Sequence, residues 1–382
     1  MNPGLLVKLR PTGPWRIGPD SGARNQVDVI YHSDSLYAAV TAALARLGRL
    51  DEWLAATARN GAPAVSFSSC FPFIEEIGFV VPPRTLWPPA APALLAARVR
   101  WKSARFVPLG IVQALLAGRP LDENHWAVDG VSGCLVPAGR SGPFRTGVRW
   151  NAAVDRLSGS TERHSTACLE FRAGAGLWAV VSFAGEDARA RWLDPVKAAF
   201  RWLADSGFGG ERSRGWGRSE SPEFTEGALP DMILGASAQE PAEQQPGVRG
   251  QGPDENPDTN PAVSVEENPA PGPRPLAPVP ASTNAHWLLS LFTPAPADSV
   301  DWTRGDYTVL ARGGRVDSPA GSGELKKQVH MVAEGSVLVA GETIHGMAPD
   351  VAPDGFAHPV FRAGFALSIP LPGLNRDREG VA

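Results

Sequence analysis

The residues best suited to chemistry in this sequence lie in the segment Gly207–Arg218, which holds five glycines, three arginines and two aromatic residues. Glycine permits positive φ angles and lets a ligand come close to the peptide backbone. Arginine offers a planar fork of donors that matches phosphate oxygens and stacks on bases. This composition favours a phosphate backbone over a neutral metabolite. An ordinary turn stays open as the alternative.

The glycine spacing of this segment excludes two common nucleotide sites. The segment lacks the Gly-Lys-Ser/Thr ending of a P-loop, and its glycines do not fit the dinucleotide fingerprint. We predict instead that its backbone N–H groups and arginine side chains bind the phosphates of a nucleic-acid backbone. Phe208 or Trp216 could stack on a base, with core packing as the equal alternative. The candidate phosphate-binding residues of the segment are Gly209, Gly210, Arg212, Ser213, Arg214, Gly215, Gly217 and Arg218.

The elements around this segment predict an α+β fold. Leu5–Leu9 is typical of a first strand, and Ser33-Asp34-Ser35 supplies side chains that could cap a helix ending near Gly48. Leu177–Phe183 predicts a strand, and Asp194-Pro195 predicts the start of a helix that Gly207 ends. An extended segment is expected at 216–224. The resulting βαββαβ order is that of a ferredoxin-like (RRM-like) domain with insertions, a common platform for single-stranded RNA.

Two further basic regions lie between these elements. Residues 98–102 alternate basic and apolar side chains, which on a strand would place Arg98, Arg100 and Lys102 on one face as a second RNA-binding stripe. A solvated strand face is the alternative. Residues 125–165 are polar, glycine-rich and arginine-rich, and an exposed arm or loop is expected there.

Residues 241–280 contain eleven prolines and no aromatic residue, which predicts a disordered linker. The chain then divides into residues 1–230, a linker over 231–283, and a strand-rich part at 284–382. Residues 241–280 carry six acidic and two basic residues, so 34 basic and 34 acidic residues remain elsewhere, and any basic surface must come from local clustering.

The remaining composition bounds the class of protein. The three cysteines are far apart, which favours a reducing cytoplasm. The apolar runs are too short for a membrane span, and the histidines are too scattered for a metal site. We therefore expect no membrane association, no metal and no cofactor.

Four segments in order along the chain resemble the fourth Csm subunit, within the RAMP superfamily of CRISPR proteins. The loop Gly207–Arg218 resembles the glycine-rich loop of that superfamily. The other three segments are Tyr31-His32-Ser33-Asp34-Ser35-Leu36-Tyr37-Ala38-Ala39, Ala311-Arg312-Gly313-Gly314-Arg315 with Lys326-Lys327 downstream, and His358-Pro359-Val360-Phe361-Arg362-Ala363-Gly364. The linker and the arginine-rich middle segments depart from the family pattern.

The resemblance implies two ferredoxin-like domains in a non-catalytic subunit of the type III-A CRISPR effector. Such a subunit holds the 5′ handle of the guide RNA (crRNA). It contacts the large polymerase-bearing subunit and a backbone RAMP subunit, and its arm presses against the guide–target RNA duplex. Candidate RNA contacts beyond the loop and stripe are His32, Ser33, Ser35, Arg312, Arg315, Lys326 and Lys327.

The same superfamily leaves one enzymatic alternative open. RAMP endonucleases that process guide precursors keep a general-base histidine near the first helix. They need no metal, because the 2′-hydroxyl of the RNA attacks the adjacent phosphate while the imidazole moves protons. His32 is the candidate for that role in this chain.

Overall fold

The computed structural model describes residues 2–19, 22–59, 61–89, 100–235, 284–318 and 320–371. The predicted linker at 241–280 and Arg98 lie outside the described residues. Helices and antiparallel strands both occur, as the predicted α+β class requires. No helix of the described part is long and apolar enough to span a membrane.

Eleven strands and five α-helices lie wholly within the described residues of the first half. They are β1 (Asn2–Leu9), α1 (Ser33–Arg46), α2 (Leu50–Ala56), β2 (Val65–Phe67), β3 (Phe71–Ile74), β4 (Ile77–Val80), β5 (Val107–Pro108), α3 (Leu109–Leu116), β6 (Trp126–Asp129), β7 (Cys134–Pro137), β8 (Phe144–Val154), β9 (Thr161–Phe171), β10 (Ala175–Phe183), α4 (Glu186–Ser206), β11 (Glu223–Leu229) and α5 (Asp231–Leu234).

The central sheet has the order β11-β1-β10-β3-β4-β5, and β2 also pairs with β10. Strand β1 is antiparallel to both β10 and β11, and β10 is antiparallel to β3. Along β1, buried Leu5, Val7 and Leu9 alternate with half-buried Leu6 and Lys8, as a strand with one covered face requires. Helices α1 and α4 pack against each other and against this sheet.

Helix α1 confirms the predicted helix, and it buries Leu36, Val40 and Leu44, which recur at helical spacing. Its end near Gly48 is also confirmed, because Gly48 has a φ of 74°. The predicted side-chain cap is wrong. The helix begins after His32 without any side-chain cap hydrogen bond, because Ser33 and Asp34 bind partners from the second half of the chain instead.

Helix α4 begins eight residues before the predicted Asp194-Pro195 start. Glu186 and Asp187 lie in its first turn, where acidic side chains favour the helix dipole. Trp192 is buried one turn before Val196, so the apolar stripe continues across Pro195. This packing outweighs the backbone hydrogen bond that proline cannot donate.

Two predicted extended segments are also wrong. Arg100 and Trp101 are helical, and Lys102 lies in the following turn, so these residues form no basic strand face. Trp101 is buried and stacks on Trp87 at 5.6 Å, which fixes this turn through packing. The segment predicted at 216–224 becomes a strand only at Glu223.

The predicted arm is a β-hairpin. Strands β8 and β9 each have 11 residues and pair along their whole length, from Phe144–Phe171 at the root to Val154–Thr161 near the tip. Alternate residues of each strand share a face, so the arm has one face with Arg145 and Arg149 and another with Trp150.

The second half consists of β12 (Asn284–Leu288), β13 (Val300–Asp306), β14 (Val309–Arg312), β15 (Arg315–Ser318), β16 (Gly321–Leu325), β17 (Val329–Val332), β18 (Val337–Ala340), β19 (Gly346–Met347), β20 (Gly364–Phe365) and β21 (Ser368–Leu371). Its main sheet has the order β13-β18-β12-β21. No α-helix occurs among residues 284–318 and 320–371. A ferredoxin-like unit has two, so the second ferredoxin-like domain is not confirmed.

The two halves share one hydrophobic core. Trp287 and Ile369 belong to the same buried cluster as Leu5 and Leu36. The first half also continues beyond the predicted boundary at 230, because Ile233 and Leu234 of α5 are buried in this cluster.

Candidate nucleic-acid interface

Three glycines of the loop Gly207–Arg218 are required by the protein itself. Gly207, Gly209 and Gly217 have φ angles of 77°, 86° and 79°. A Cβ on Gly209 would lie 2.5 Å from the Arg16 carbonyl oxygen, and one on Gly217 would overlap the Phe208 carbonyl oxygen. The space beside these glycines, predicted to admit a ligand, is thus occupied by other backbone atoms of the chain itself.

The predicted binding through loop N–H groups is wrong at three positions. The N–H groups of Gly210, Gly215 and Gly217 donate to carbonyl oxygens of Arg16, Arg212 and Pro14, at 2.8, 2.9 and 3.0 Å. Gly215 differs in having open space beside it, since a Cβ there would meet no atom within 4 Å. Its positive φ closes the short 3₁₀ turn Arg212–Arg214.

The aromatic residues of the loop also face inward. Phe208 is 1% exposed and lies edge-on to Trp15 and Tyr31, with ring centroids 4.6 and 5.0 Å away. Trp216 is 9% exposed. Both rings therefore pack in the core, which was the alternative to stacking on a base. Together with the glycines, they hold the loop in one conformation.

The side chains that the loop presents to solvent are Arg212, Ser213, Arg214 and Arg218. Arg212 lies 3.6 Å from Asp317 of β15, and Arg214 pairs with Glu211 at 2.8 Å and contacts His164 of the arm at 3.3 Å. The loop thus connects the arm on one side with the second half of the chain on the other.

A cleft of about 490 Å³ lies beside the loop at the start of β15. Arg312, Arg315, Lys326 and Arg362 line it, together with Ser35 and Asp34. Burial lowers the pKa of Lys326, with Arg362 adding to the effect. Arg362 Nε has no hydrogen-bond partner among the described residues. With four basic side chains and one carboxylate in its lining, the cleft has a net positive charge.

Three other residues in this region were predicted to bind RNA, and two of them lie at the cleft while the third lies outside it. Ser35 is half-buried at the cleft, and its Oγ accepts a hydrogen bond from Arg312 at 3.1 Å. Arg315 is exposed at the cleft edge. Lys327 lies outside the cleft, where it pairs with Asp354 at 2.8 Å.

His32 is buried between two carboxylates and cannot reach RNA. It is 3% exposed, with Nδ1 2.7 Å from Glu334 Oε1 and Nε2 3.3 Å from Asp28 Oδ2. Burial lowers the pKa of an imidazole, but here the charges and hydrogen bonds of Glu334 and Asp28 outweigh burial and raise it to about 9. His32 is therefore an imidazolium that joins the two halves, which contradicts its predicted RNA contact.

Asp34 lies at the centre of a second buried cluster of charged side chains. Arg312 donates to its two carboxylate oxygens at 3.1 and 3.0 Å, and Arg362 donates to Oδ2. Burial raises the pKa of a carboxyl group, but the two guanidinium groups outweigh it and lower the pKa of Asp34 to about 2. Ser33, also predicted to bind RNA, is 5% exposed and accepts a hydrogen bond from the Leu291 N–H at 2.9 Å.

Three of the four segments that carried the family resemblance thus meet at one interface inside the protein. Two of their partners lie in unremarkable sequence contexts: Ser69, which accepts a hydrogen bond from the Ser33 N–H, and Glu334, which pairs with His32. Asp28 was missed as well, although it stands four residues before His32. Arg16 was the other omission: its guanidinium donates to four backbone carbonyls, which belong to Ala23, Arg24, Gln26 and Ala167.

Comparison with solved structures defines the class. A chain of the Csm3–Csm4 subcomplex of the type III-A CRISPR–Cas interference complex is 14% identical, with a TM-score of 0.55 over 96% of this chain and 99% of that chain. Chains of the Csm1–Csm4 cassette match with TM-scores of 0.52 (complex with cA4, 16% identical) and 0.51 (complex with pppApA, 17% identical), over 97% of this chain and 98% of theirs. This chain therefore has the fold of a type III-A CRISPR complex subunit.

The family model is more specific than the fold. Residues 281–371 match the family model of the CRISPR Csm4 C-terminal domain, which confirms the resemblance of this part of the chain to the fourth Csm subunit. The sequence matched none of the curated proteins with which it was compared.

Proposed function

We propose that this chain is a non-catalytic RNA-binding and scaffold subunit of a type III-A CRISPR effector, which holds the 5′ handle of the crRNA for antiviral defence. The observation that carries the proposal is the continuity between two basic surfaces. Arg212 of the glycine-rich loop contacts Asp317, and Arg315, two residues away on the same strand, lines the basic cleft.

The handle would lie across the exposed loop arginines and enter the cleft with its phosphates. Guanidinium groups bind phosphate oxygens in a forked geometry, and the fixed loop conformation limits the entropy lost on binding. In this proposal the phosphates are bound by the side chains of the loop and not by its N–H groups. Arg212, Arg214, Arg218, Arg315 and Lys326 are its RNA-binding residues, with Ser213 and Ser35 beside them.

The fold supports this proposal through its first half. Strands β1, β3, β10 and β11 and helices α1 and α4 follow a βαββαβ order, with the sheet order β11-β1-β10-β3. We propose that residues 1–235 form a ferredoxin-like RAMP domain with insertions, and that residues 284–382 form a second domain packed on it. A linker over 236–283 would join them.

The enzymatic alternative is disfavoured by the position of His32. A general base must reach the proton it removes, whereas both ring nitrogens of His32 face carboxylates inside the protein. We therefore propose a holding role without catalysis.

The partners follow from the relatives. The solved complexes contain Csm1 or Csm3 beside Csm4. We propose that this chain likewise binds a large subunit and a backbone RAMP subunit in the cytoplasm, and that its arm meets the guide–target RNA duplex. Target RNA would thus be contacted only after it pairs with the guide.

Replacing Arg212, Arg214 and Arg218 together with glutamine tests the handle site. We expect the affinity for handle RNA to fall, and the slope of log K against log salt to become shallower by about 2, since each lost phosphate contact contributes about 0.7 for a single strand. Binding would be measured by fluorescence anisotropy over a salt series. Arg201→Gln, on the exposed side of α4, is the matched control. Unchanged affinity and slope in the triple variant would refute the site.

A further inference from the structure

The buried side chain of Arg16 lies between the glycine-rich loop and the basic cleft. Arg16 is 7% exposed and belongs to a short extended segment, residues 15–17, which runs between the arm and the loop. Because the side chain is buried, any effect that it has on RNA binding must pass through the groups that it holds.

The backbone of this segment forms hydrogen bonds on both sides. On one side, Trp15 exchanges two hydrogen bonds with Leu169 of β9, at 3.0 and 2.7 Å. On the other side, the Arg16 carbonyl accepts the Gly210 N–H at 2.8 Å. The indole N–H of Trp15 donates to the Arg218 carbonyl at 3.0 Å. The loop is therefore bonded to this segment at two points.

The guanidinium group of Arg16 fixes a second piece of backbone, residues 18–28. Nη1 donates to the carbonyls of Arg24 and Gln26 at 3.0 and 3.2 Å, and Nη2 donates to that of Ala23 at 2.9 Å. A buried carbonyl without a partner costs free energy, so the backbone follows the path on which these bonds form.

This second piece of backbone supplies part of the lining of the basic cleft. Gly18, Pro19 and Gly22 line the cleft, and the first carbonyl bound by Arg16 belongs to the residue after Gly22. These three residues contribute no charge to the cleft. Their contribution is its shape, and this shape depends on the Arg16 side chain.

Arg16 also connects both parts of the handle site to the arm. Its Nη1 donates to the carbonyl of Ala167 on β9 at 2.9 Å, and the Ala167 N–H donates to the Arg24 carbonyl at 2.8 Å. Arginine suits this position because its donors are spread over a fork, whereas lysine has one nitrogen on a shorter stem. Lysine would keep the positive charge but could not reach carbonyls on three sides.

We infer that Arg16 is a positioning residue of the handle site, which holds the glycine-rich loop and the cleft lining in place before RNA binds. This inference rests on the proposed function, because the handle site is the site that Arg16 holds. A loop ordered in advance loses less entropy on binding. The affinity gained in this way is independent of salt, because a residue that meets no phosphate releases no counterions.

Arg16→Lys tests this role through binding of handle RNA to the full chain over a salt series. We expect binding about tenfold weaker, with the slope of log K against log salt unchanged within about 0.3. The loop variant R212Q/R214Q/R218Q instead changes the slope. Arg24→Lys is the matched control, because Arg24 is exposed and keeps the carbonyl that it offers to Arg16. Circular dichroism would establish that each variant is folded at the temperature of the measurement.

Hydrogen exchange on the unmodified chain tests the same role without a substitution. The Gly210 N–H bonded to the Arg16 carbonyl should exchange at least about thirtyfold more slowly without RNA than in an unstructured peptide. Weaker protection would overturn the inference, because the loop would then become ordered only when RNA binds.

The outcomes of the binding experiment separate this inference from the handle site. If Arg16→Lys binds like the unmodified chain while the loop variant loses affinity, Arg16 has no positioning role and the handle site stands. A shallower salt slope in Arg16→Lys would also overturn the inference, because phosphate contacts would then have been lost. If the loop variant keeps its affinity, the handle site is wrong, and the role of Arg16 in it falls as well.

Discussion

Replacing Asp34 with alanine is expected to lower the free energy of unfolding by about 3 to 5 kcal/mol, the usual cost of removing one partner from a buried ion pair. Asp34 is 3% exposed and is the carboxylate that Arg312 and Arg362 share. Without it, two guanidinium groups would remain in the interior facing each other. The loss should appear as an earlier transition in urea, measured on the full chain.

Asp317→Ala is the matched control for this change. Asp317 is an exposed aspartate that pairs with Arg212 at 3.6 Å, with 82% of its side chain accessible. Exposed pairs contribute little, so we expect a change within about 0.5 kcal/mol. Equal effects of the two substitutions would contradict the role of Asp34 in joining the halves of the protein.

Raising the pH above neutrality should weaken the protein through His32. Its pKa is about 9 in the folded state, against 6.5 ordinarily. The stabilisation is therefore fully present below pH 6.5, decreases as the pH rises and is lost above pH 9. A shift of this size corresponds to roughly 3 kcal/mol. Urea denaturation from pH 6 to pH 10 would measure it.

The control is the same series on His32→Gln, because other groups also titrate at high pH. Burial raises the pKa of Tyr31 and Cys70. Both groups therefore ionise more readily in the unfolded state, which lowers the stability of either protein as the pH rises. The difference between the two proteins isolates the imidazolium. This difference should shrink as the pH rises from 6.5 to 9. A constant difference would show that His32 is neutral in the folded protein.

The sequence predicts the local elements well because their causes are local. The spacing of Leu36, Val40 and Leu44 defines α1, and the apolar run at 177–183 defines β10. The start of α4 was misplaced because Asp194-Pro195 has the local pattern of a helix start, whereas burial of Trp192 depends on the core. Residues 100–102 were mispredicted for a related reason, since basic and apolar side chains can alternate over so short a stretch in a helix as well as in a strand.

The site was harder to predict because its partners are far apart in the chain. His32 and Glu334 are separated by 302 residues, and Asp34 and Arg362 by 328. A histidine or arginine in a family motif gives no sign of whether it faces a ligand or a buried carboxylate. The composition of the loop Gly207–Arg218 drew attention to its arginines. The role of its glycines in the chain's own packing became apparent only from φ angles and backbone distances.

The most direct test of the central claim is photo-crosslinking within an assembled type III-A effector that contains this chain. A crRNA with a photoreactive nucleotide in its 5′ handle would be irradiated, and the crosslinked peptides identified by mass spectrometry. The proposed function predicts crosslinks to residues 207–218 and to the cleft lined by Arg315 and Lys326. Crosslinks only to other subunits, or only to the separate cleft that contains His286 and His345, would contradict it.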